Sequence, residues 1–195
     1  MRGTYDKIKL DLDLQVGFMG EGPLLEVPNA RGIVDNVNRV SQALRSVGAT
    51  IAYVQYKLDA DEPHRWGSHY DSMTPDAAKR IRTAFSVGKD QHAFCPGLDV
   101  QPEDIIVPKR RWSAFILGTC DLDALLKAKC IDTLIITGTT INIRCESTIR
   151  DAMQMGYNVL FEQDGNATRD NAVHNANLLN MLSSEHAFPW RCCPR

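Results

Sequence analysis

One segment, residues 133–156, constrains the fold of this chain more than any other: TLIITGTTINIRCESTIRDAMQMG. It opens with a short apolar and β-branched run, which is typical of a strand buried on both faces. Residues 146–155 follow with apolar side chains at helical spacing, so a strand, a tight turn and a helix meet near residues 142–146. Such a junction presents backbone N–H groups at the carboxyl edge of a sheet, where α/β proteins hold ligands.

Strand patterns alternate with helix patterns along the whole chain. The predicted strands are residues 7–18, 50–56, 104–107, 134–136 and 158–162, and the predicted helices are residues 29–48, 75–85, 121–128, 146–155 and 167–183. Alternation of this kind predicts βαβ units, and therefore an α/β fold with a mostly parallel central sheet and helices on both faces. A length of 195 residues fits one domain, residues 1–195.

Polar groups fall at the ends of three predicted strands. Asp13 ends the polar face of the first strand, Lys109 follows the third, and the 142–146 turn follows the fourth. Because the ends of parallel strands converge at one edge of the sheet, these groups form a candidate site.

Each charged residue of that site has two interpretations. Asp13 is either a solvated carboxylate, like Asp11, or a general acid or base beside a lysine. Lys109 is either part of a surface basic run or a cation that lowers the pKa of a carboxylate and stabilises a negatively charged intermediate. Arg110 and Arg111 are equally suited to an anionic substrate.

Cys145 lies where the predicted helix begins. A lone cysteine there is either a packed side chain or a nucleophile whose thiolate is stabilised by the helix start. The preceding Arg144 could lower the pKa of that thiol or bind a carboxylate itself. The residue pattern leaves both alternatives open.

Composition excludes several classes of function. A net charge of −2 gives no electrostatic footprint for nucleic acid or an anionic membrane, and no apolar run approaches the ~18–20 residues that span a bilayer. The six cysteines show no C-x-x-C pair, which favours reduced thiols and a cytoplasmic protein. No phosphate-binding glycine motif is present.

Residues 57–101 show little periodicity, which is typical of a lid or binding loop. His64 and His69 occur there without the spacing of metal ligands on a fixed element, so no metal site is predicted. Trp66 and Tyr70 are expected to line a pocket or an interface. This segment is expected to determine the substrate.

Four longer motifs carry a resemblance to a known family. They are DLQVGF at residues 13–18, VPKRRWSAF at 107–115, TCDLDALL from residue 119 and GTTINIRCESTIRDAMQMGYNV at 138–159. Together they resemble the isochorismatase-like hydrolases, a superfamily that includes isochorismatases and cysteine amidohydrolases. The resemblance implies a three-layer Rossmann-like fold, an Asp–Lys–Cys triad without a cofactor, and a non-proline cis peptide bond around residues 138–140.

One departure from the family pattern affects the triad. Aligned through the E-S-T-x-R-D motif, the position of the family's nucleophile is Arg144, and Cys145 is the next residue. Adjacent helical residues point about 100° apart, so the cysteine does not simply replace its neighbour. The resemblance places substrate contacts at seven residues: Gln15, Phe18, Arg110, Trp112, Thr140, Ile141 and Asn142.

Three functions remain open on this basis. The first, which we favour, is hydrolysis without a thiol: Asp13 acts as general acid, and Lys109 and Arg144 meet the carboxylates of a small substrate. The second is amide hydrolysis by Cys145, with the helix-start N–H groups holding the oxyanion. The third is a catalytically inactive binding protein in which Arg144 pairs with Asp13.

Homo-oligomers are expected because relatives commonly assemble.

Overall fold

Six parallel strands form the centre of the computed structural model, which describes residues 7–59, 66–183 and 187–190. The strands are β1 Lys7–Leu12, β2 Thr50–Tyr56, β3 Ile105–Lys109, β4 Thr133–Thr139, β5 Asn158–Ala167 and β6 Ala187–Trp190. They lie in the order β3-β2-β1-β4-β5-β6, and every pairing is parallel. The predicted parallel sheet is confirmed.

Helices cover both faces of this sheet. They are α1 Val16–Met19, α2 Val34–Arg45, α3 Gly67–Tyr70, α4 Pro75–Ala84, α5 Leu122–Ala128, α6 Glu146–Gln154 and α7 Asn171–Ser183. Apolar residues of α5, α6 and α7 pack in one cluster with Ile8, Leu10 and Leu12 of β1, whereas α2 and α4 contribute to a second cluster with Leu14 and Phe18. Within the described residues, no helix is long and apolar enough to cross a membrane.

Several predicted boundaries were wrong for identifiable reasons. The first strand ends at Leu12, and a short helix follows where residues 13–18 were predicted as strand. β3 runs through Pro108, which is tolerated because β3 is an edge strand. β5 continues to Ala167 where a turn was predicted at 164–166, because the β4–β5 register shifts between Ile136 and Gly138 and the extra residues bulge.

The polar face of β1 is buried, which corrects the expectation that Asp11 is solvated. Lys9 and Asp11 are at most 1% exposed and form an ion pair, and Nζ of Lys9 also donates to Oγ of Ser41 on α2 at 2.9 Å. Glu162 of β5 is fully buried as well, and neither carboxylate oxygen has a hydrogen-bond partner among the described residues. β1 is central and covered by α2, so polar alternation did not mark a solvent face.

Burial raises the pKa of Glu162 from its ordinary value of 4.5 to about 7, although Lys9 opposes the shift. A carboxyl group whose pKa is raised by folding stabilises the fold at low pH, and that contribution is lost as pH rises from about 4.5 through about 7. Between low and high pH, we therefore expect the free energy of unfolding to change by about 2 kcal/mol less in Glu162→Gln than in wild type, after allowance for solvent screening. Urea unfolding at pH 5 and pH 8 measures it, with the exposed Glu103→Gln as control. Equal pH dependence in wild type and Glu162→Gln would contradict the prediction.

Candidate functional site

The carboxyl ends of three strands bring Asp13, Lys109 and Arg144 together. Asp13 follows β1, Lys109 is the last residue of β3, and Arg144 lies in the turn after β4. Nζ of Lys109 donates to Oδ2 of Asp13 at 2.5 Å, and Nε of Arg144 lies 3.3 Å from the same oxygen. One carboxylate therefore faces two cations.

The backbone holds Asp13 in an uncommon conformation. Its φ is 55°, in the left-handed region that residues other than glycine seldom occupy. Its N–H donates to the carbonyl oxygen of Val54 at 2.9 Å, and its own carbonyl accepts from Oγ1 of Thr139 at 3.1 Å. Contacts from both neighbouring strands thus maintain the conformation, which turns the side chain out of the strand alternation towards Lys109. Backbone strain maintained in this way is characteristic of functional sites.

The Asp13–Lys109 pair is fully buried. Burial raises the pKa of Asp13, while Lys109 and Arg144 act to lower it. Burial likewise lowers the pKa of Lys109, which also donates to the carbonyl oxygen of Arg111 at 3.2 Å. Oδ1 of Asp13 has no hydrogen-bond partner among the described residues. A carboxyl group held in this way is suited to giving and taking a proton.

Arg144 lies between Asp13 and the adjacent cavity. Its guanidinium carbon is 4.3 Å from the centroid of the Phe18 ring and 5.4 Å from that of Tyr56, and Nη1 donates to Oγ1 of Thr140 at 3.4 Å. The residue is 7% exposed, so the cation is largely desolvated by aromatic rings. Arg144 lines the cavity, whereas Asp13 does not.

That cavity has a volume of about 340 Å³ and combines apolar walls with polar groups. Its lining consists of Leu25, Tyr56, His69, Met73, Ile81, Trp112, Thr140, Asn142, Ile143, Arg144, Thr168, Arg169, Asp170 and Val173. Three predicted substrate contacts, at Trp112, Thr140 and Asn142, are among them. Thr168 and Arg169 were missed, because residues 167–183 were predicted as helix and the extended β5 instead carries them to this edge.

Cys145 lies outside the cavity lining and is fully buried in the apolar cluster with Ile149 and Leu178. Burial, followed by the charge of Asp13, raises the pKa of its thiol far above the ordinary value. The turn itself is a π-helix, Ile141–Cys145, that follows a cis peptide bond between Thr139 and Thr140. The carbonyl oxygen of Thr140 accepts the N–H groups of Ile143, Arg144 and Cys145 at 3.1, 2.9 and 3.2 Å.

The sequence assigned the N–H groups at the helix start to an oxyanion, and these three N–H groups lie in the turn that leads into α6. Because a carbonyl oxygen of the chain already accepts them, the turn does not present them to the cavity. Neither the thiol nor the N–H groups are thus arranged for nucleophilic catalysis in this conformation.

The remaining predicted contacts lie behind or beside the cavity. The side-chain amide of Gln15 bonds to the backbone of Tyr56 and His92, at 2.8–3.0 Å. Phe18 supports the guanidinium of Arg144, and Ile141 is buried in the apolar cluster. Arg110 lies 3.6 Å from a carboxylate oxygen of Asp59 and does not line the cavity.

Within the described residues, no three His, Cys, Asp or Glu side chains form a group that could hold a metal ion. Cys95, Cys120, Cys130 and Cys145 are free thiols. Cys192, Cys193 and His64 lie outside the described residues.

Comparison with known proteins agrees with the fold. The isochorismatase domain matches residues 10–188. YwoC of Bacillus subtilis, an isochorismatase family protein, is 34% identical over 86% of this chain and 80% of its own length. The ureidoacrylate amidohydrolase RutB of Agrobacterium fabrum is 26% identical over 92% of this chain and 82% of its own length.

Among solved structures, a cysteine hydrolase from Pseudomonas syringae pv. phaseolicola superposes with a TM-score of 0.84. It is 24% identical, and the match covers 94% of this chain and 87% of that one, so it supports the fold. The family match spans residues 10–188 of a chain of 195. The chain therefore belongs to the isochorismatase family of hydrolases.

Proposed function

We propose that this protein hydrolyses a small molecule that bears a carboxylate, with Asp13 as general acid and without a cysteine nucleophile. The observation that carries the proposal is the positive charge of Arg144 in the cavity lining. Arg144 and Lys109 together outweigh the single carboxylate of Asp13, and Arg144 alone of the three faces the cavity. A desolvated cation at the floor of a cavity favours an anionic ligand, and a guanidinium suits a carboxylate.

Arg144 is proposed to occupy the position at which cysteine hydrolases of this family carry their nucleophile. The arginine points towards Asp13, as a nucleophile would, whereas the next residue, Cys145, points into the core. On this proposal Arg144 meets the substrate, while the thiol of Cys145 packs in the apolar cluster.

Asp13 is proposed to be the general acid that protonates the substrate. Its burial raises its pKa, which favours a protonated form that a general acid requires, and Lys109 holds the carboxyl group in place. A substrate carboxylate would draw Arg144 away from Oδ2 of Asp13 and give the reacting group access to the acid. RutB acts on ureidoacrylate, which joins a carboxylate to a C–N bond, so an amide with a carboxylate is one suitable substrate. An enol ether with a carboxylate is the other.

A binding protein without catalysis is the second candidate. The observation that favours it is the contact of 3.3 Å between Nε of Arg144 and Oδ2 of Asp13. Because Lys109 also pairs with this carboxylate, Asp13 contacts two cations and does not line the cavity. On this alternative the cavity binds the same carboxylates but converts none of them.

Substitution of Arg144 by glutamine tests the proposed substrate class. The substrates are amides and enol ethers, each supplied as a carboxylate and as its methyl ester. Loss of a charge-assisted contact is worth about 1.5–3 kcal/mol, so we expect KM for carboxylates to rise about 10- to 100-fold, with little change for the esters.

Arg150→Gln is the matched control, because Arg150 pairs with Glu146 on α6 and does not line this cavity. An unchanged KM for carboxylates in Arg144→Gln would contradict the proposal. Tight binding of carboxylates by wild type, with no turnover of any of them, would support the binding protein instead.

A further inference from the structure

Hydrolysis needs a group that takes a proton from water, and the residues considered so far do not supply it. Asp13 lies behind Arg144, and Cys145 is buried in the core. Two ionisable groups of the cavity lining remain as acceptors near neutral pH: the imidazole of His69 and the carboxylate of Asp170.

Asp170 is already engaged by the backbone. Its Oδ1 accepts the N–H groups of Ala172 and Val173 at 2.6 and 3.2 Å and so caps the N-terminus of α7. Asp170 therefore serves to begin α7, and its Oδ1 is occupied by two backbone N–H groups.

His69 packs against aromatic rings at the cavity wall. Its ring centroid is 4.5 Å from that of Trp66, at an interplanar angle of 31°, and 5.4 Å from that of Trp112, at 79°. The Tyr70 ring centroid lies 5.1 Å away, at an interplanar angle of 62°. Within the described residues, the imidazole makes these ring contacts and no hydrogen bond. The residue also lines the cavity, so the imidazole lies where a bound molecule would meet it.

Burial and the neighbouring cations favour the neutral form of His69. Burial, Arg144 and Arg111 all lower its pKa from the ordinary value of 6.5. Arg144 faces it from the turn after β4 and Arg111 from the segment after β3, while Arg169 and Asp170 line the same cavity ahead of α7. A neutral imidazole has one nitrogen lone pair that accepts a proton.

We propose that His69 is the catalytic base that takes a proton from the attacking water. The inference rests on the proposed function and completes it. Arg144 binds the carboxylate of the substrate, and Asp13 is the acid that protonates the substrate. For an amide, His69 takes one water proton as the water oxygen bonds to the carbonyl carbon. The C–N bond then breaks as Asp13 gives its proton to the leaving nitrogen, and the imidazolium returns the first proton to the Asp13 carboxylate through the second product or solvent.

For an enol ether, Asp13 protonates the terminal carbon of the double bond and water adds to the resulting cationic carbon. His69 takes the proton of that water and passes it to the ether oxygen as the C–O bond breaks. The remaining hydroxyl proton returns to Asp13 as the ketone forms. In both reactions one water is consumed and both side chains regain their starting state.

The test compares His69→Gln with His92→Gln. Glutamine keeps hydrogen-bonding capacity but is not a base. His92 is the matched control because it too is partly buried with a lowered pKa, yet it does not line the cavity. We expect His69→Gln to lower kcat about 100-fold with KM changed less than about 3-fold, and His92→Gln to keep both constants near wild type.

The pH profile of kcat/KM distinguishes a base from a structural residue, because a purely structural role of His69 would not change the profile. In wild type, kcat/KM should fall as the pH drops through an inflection below pH 6.5, where His69 becomes protonated. The residual activity of His69→Gln should lack this acidic limb. Full activity of His69→Gln with an unchanged acidic limb would overturn the role of His69 and leave the proposed function intact. Absence of wild-type turnover on every substrate of the panel would overturn the proposed function, and this role with it.

A substrate-independent measurement accompanies the kinetics. Because imidazolium quenches adjacent indoles, protonation of His69 should quench Trp66 and Trp112 in a titration with an inflection below 6.5. We expect this step to be absent in His69→Gln and retained in His92→Gln. An inflection between 6.5 and 7 would contradict the expected lowering of the pKa of His69 by its surroundings, and one above 7 would mean a mostly charged imidazole at neutral pH; either would overturn the inference.

Discussion

Asp13→Asn is expected to lower kcat about 1,000-fold, whereas Cys145→Ala changes it less than about 3-fold. An asparagine amide cannot deliver a proton, and general acid catalysis by a positioned carboxyl group contributes about 10²–10⁴-fold. The thiol of Cys145 is fully buried with a strongly raised pKa, so its removal takes away packing but no reacting group. Steady-state kinetics on the same panel of carboxylates measures both variants.

Two controls separate catalysis from folding in this comparison. Asp13→Asn leaves Lys109 and Arg144 without their shared anion, so thermal unfolding of the variant is measured beside its kinetics. Cys120→Ala removes a thiol that is only partly buried and lines no part of the cavity. Loss of activity in Cys145→Ala comparable with that in Asp13→Asn would overturn thiol-independent hydrolysis and favour the cysteine mechanism.

Gly138→Ala is expected to destabilise the fold by about 4 kcal/mol, the largest effect on stability that we predict. Gly138 has a φ of 131°, and a Cβ atom there would lie 2.1 Å from the carbonyl oxygen and 2.8 Å from the nitrogen of Leu12. Both contacts are to backbone, which cannot move without separating β4 from β1, so backbone strain and steric overlap add. Urea unfolding at pH 7 measures the change.

The matched control is Gly156→Ala. Gly156 also has a positive φ, of 90°, but a Cβ atom there would meet nothing within 4 Å. Only the conformational cost of about 1 kcal/mol is expected at this position. Equal destabilisation by the two substitutions would contradict the argument that the approach of β1 to β4 requires Gly138.

Hydrophobic periodicity was sufficient to predict the architecture. The β-branched run after residue 133 and the alternation of strand and helix patterns predicted a parallel sheet with helices on both faces, and β2 was predicted with its observed bounds, Thr50–Tyr56. Errors occurred where the structure depends on pairing between distant segments, which hydrophobic periodicity does not report. The bulge that extends β5 depends on the register with β4, which is a relation between distant segments.

The candidate site was predictable in its members but not in their orientations. Strand order brings Asp13, Lys109 and Arg144 to one edge. The family motif predicted Asp13 and Lys109, whereas Arg144 was predicted as a departure from it. That Arg144 faces the cavity while Cys145 faces the core depends on the π-helical turn, whose N–H groups converge on Thr140. His69 gave no sequence signal beyond its place in an irregular segment, because its role depends on Trp112, which lies 43 residues further along the chain by sequence number.

Local sequence therefore determined which elements form and which strand ends carry charge, since side-chain period and backbone propensity act over neighbouring residues. Tertiary structure alone decided which charges are buried. Lys9, Asp11 and Glu162 alternate as solvent-facing residues do, yet they lie beneath α2 because β1 and β5 are interior strands. Tertiary structure likewise decided that the cation of Arg144, and not the thiol beside it, meets the cavity, because burial and orientation follow from how distant segments pack.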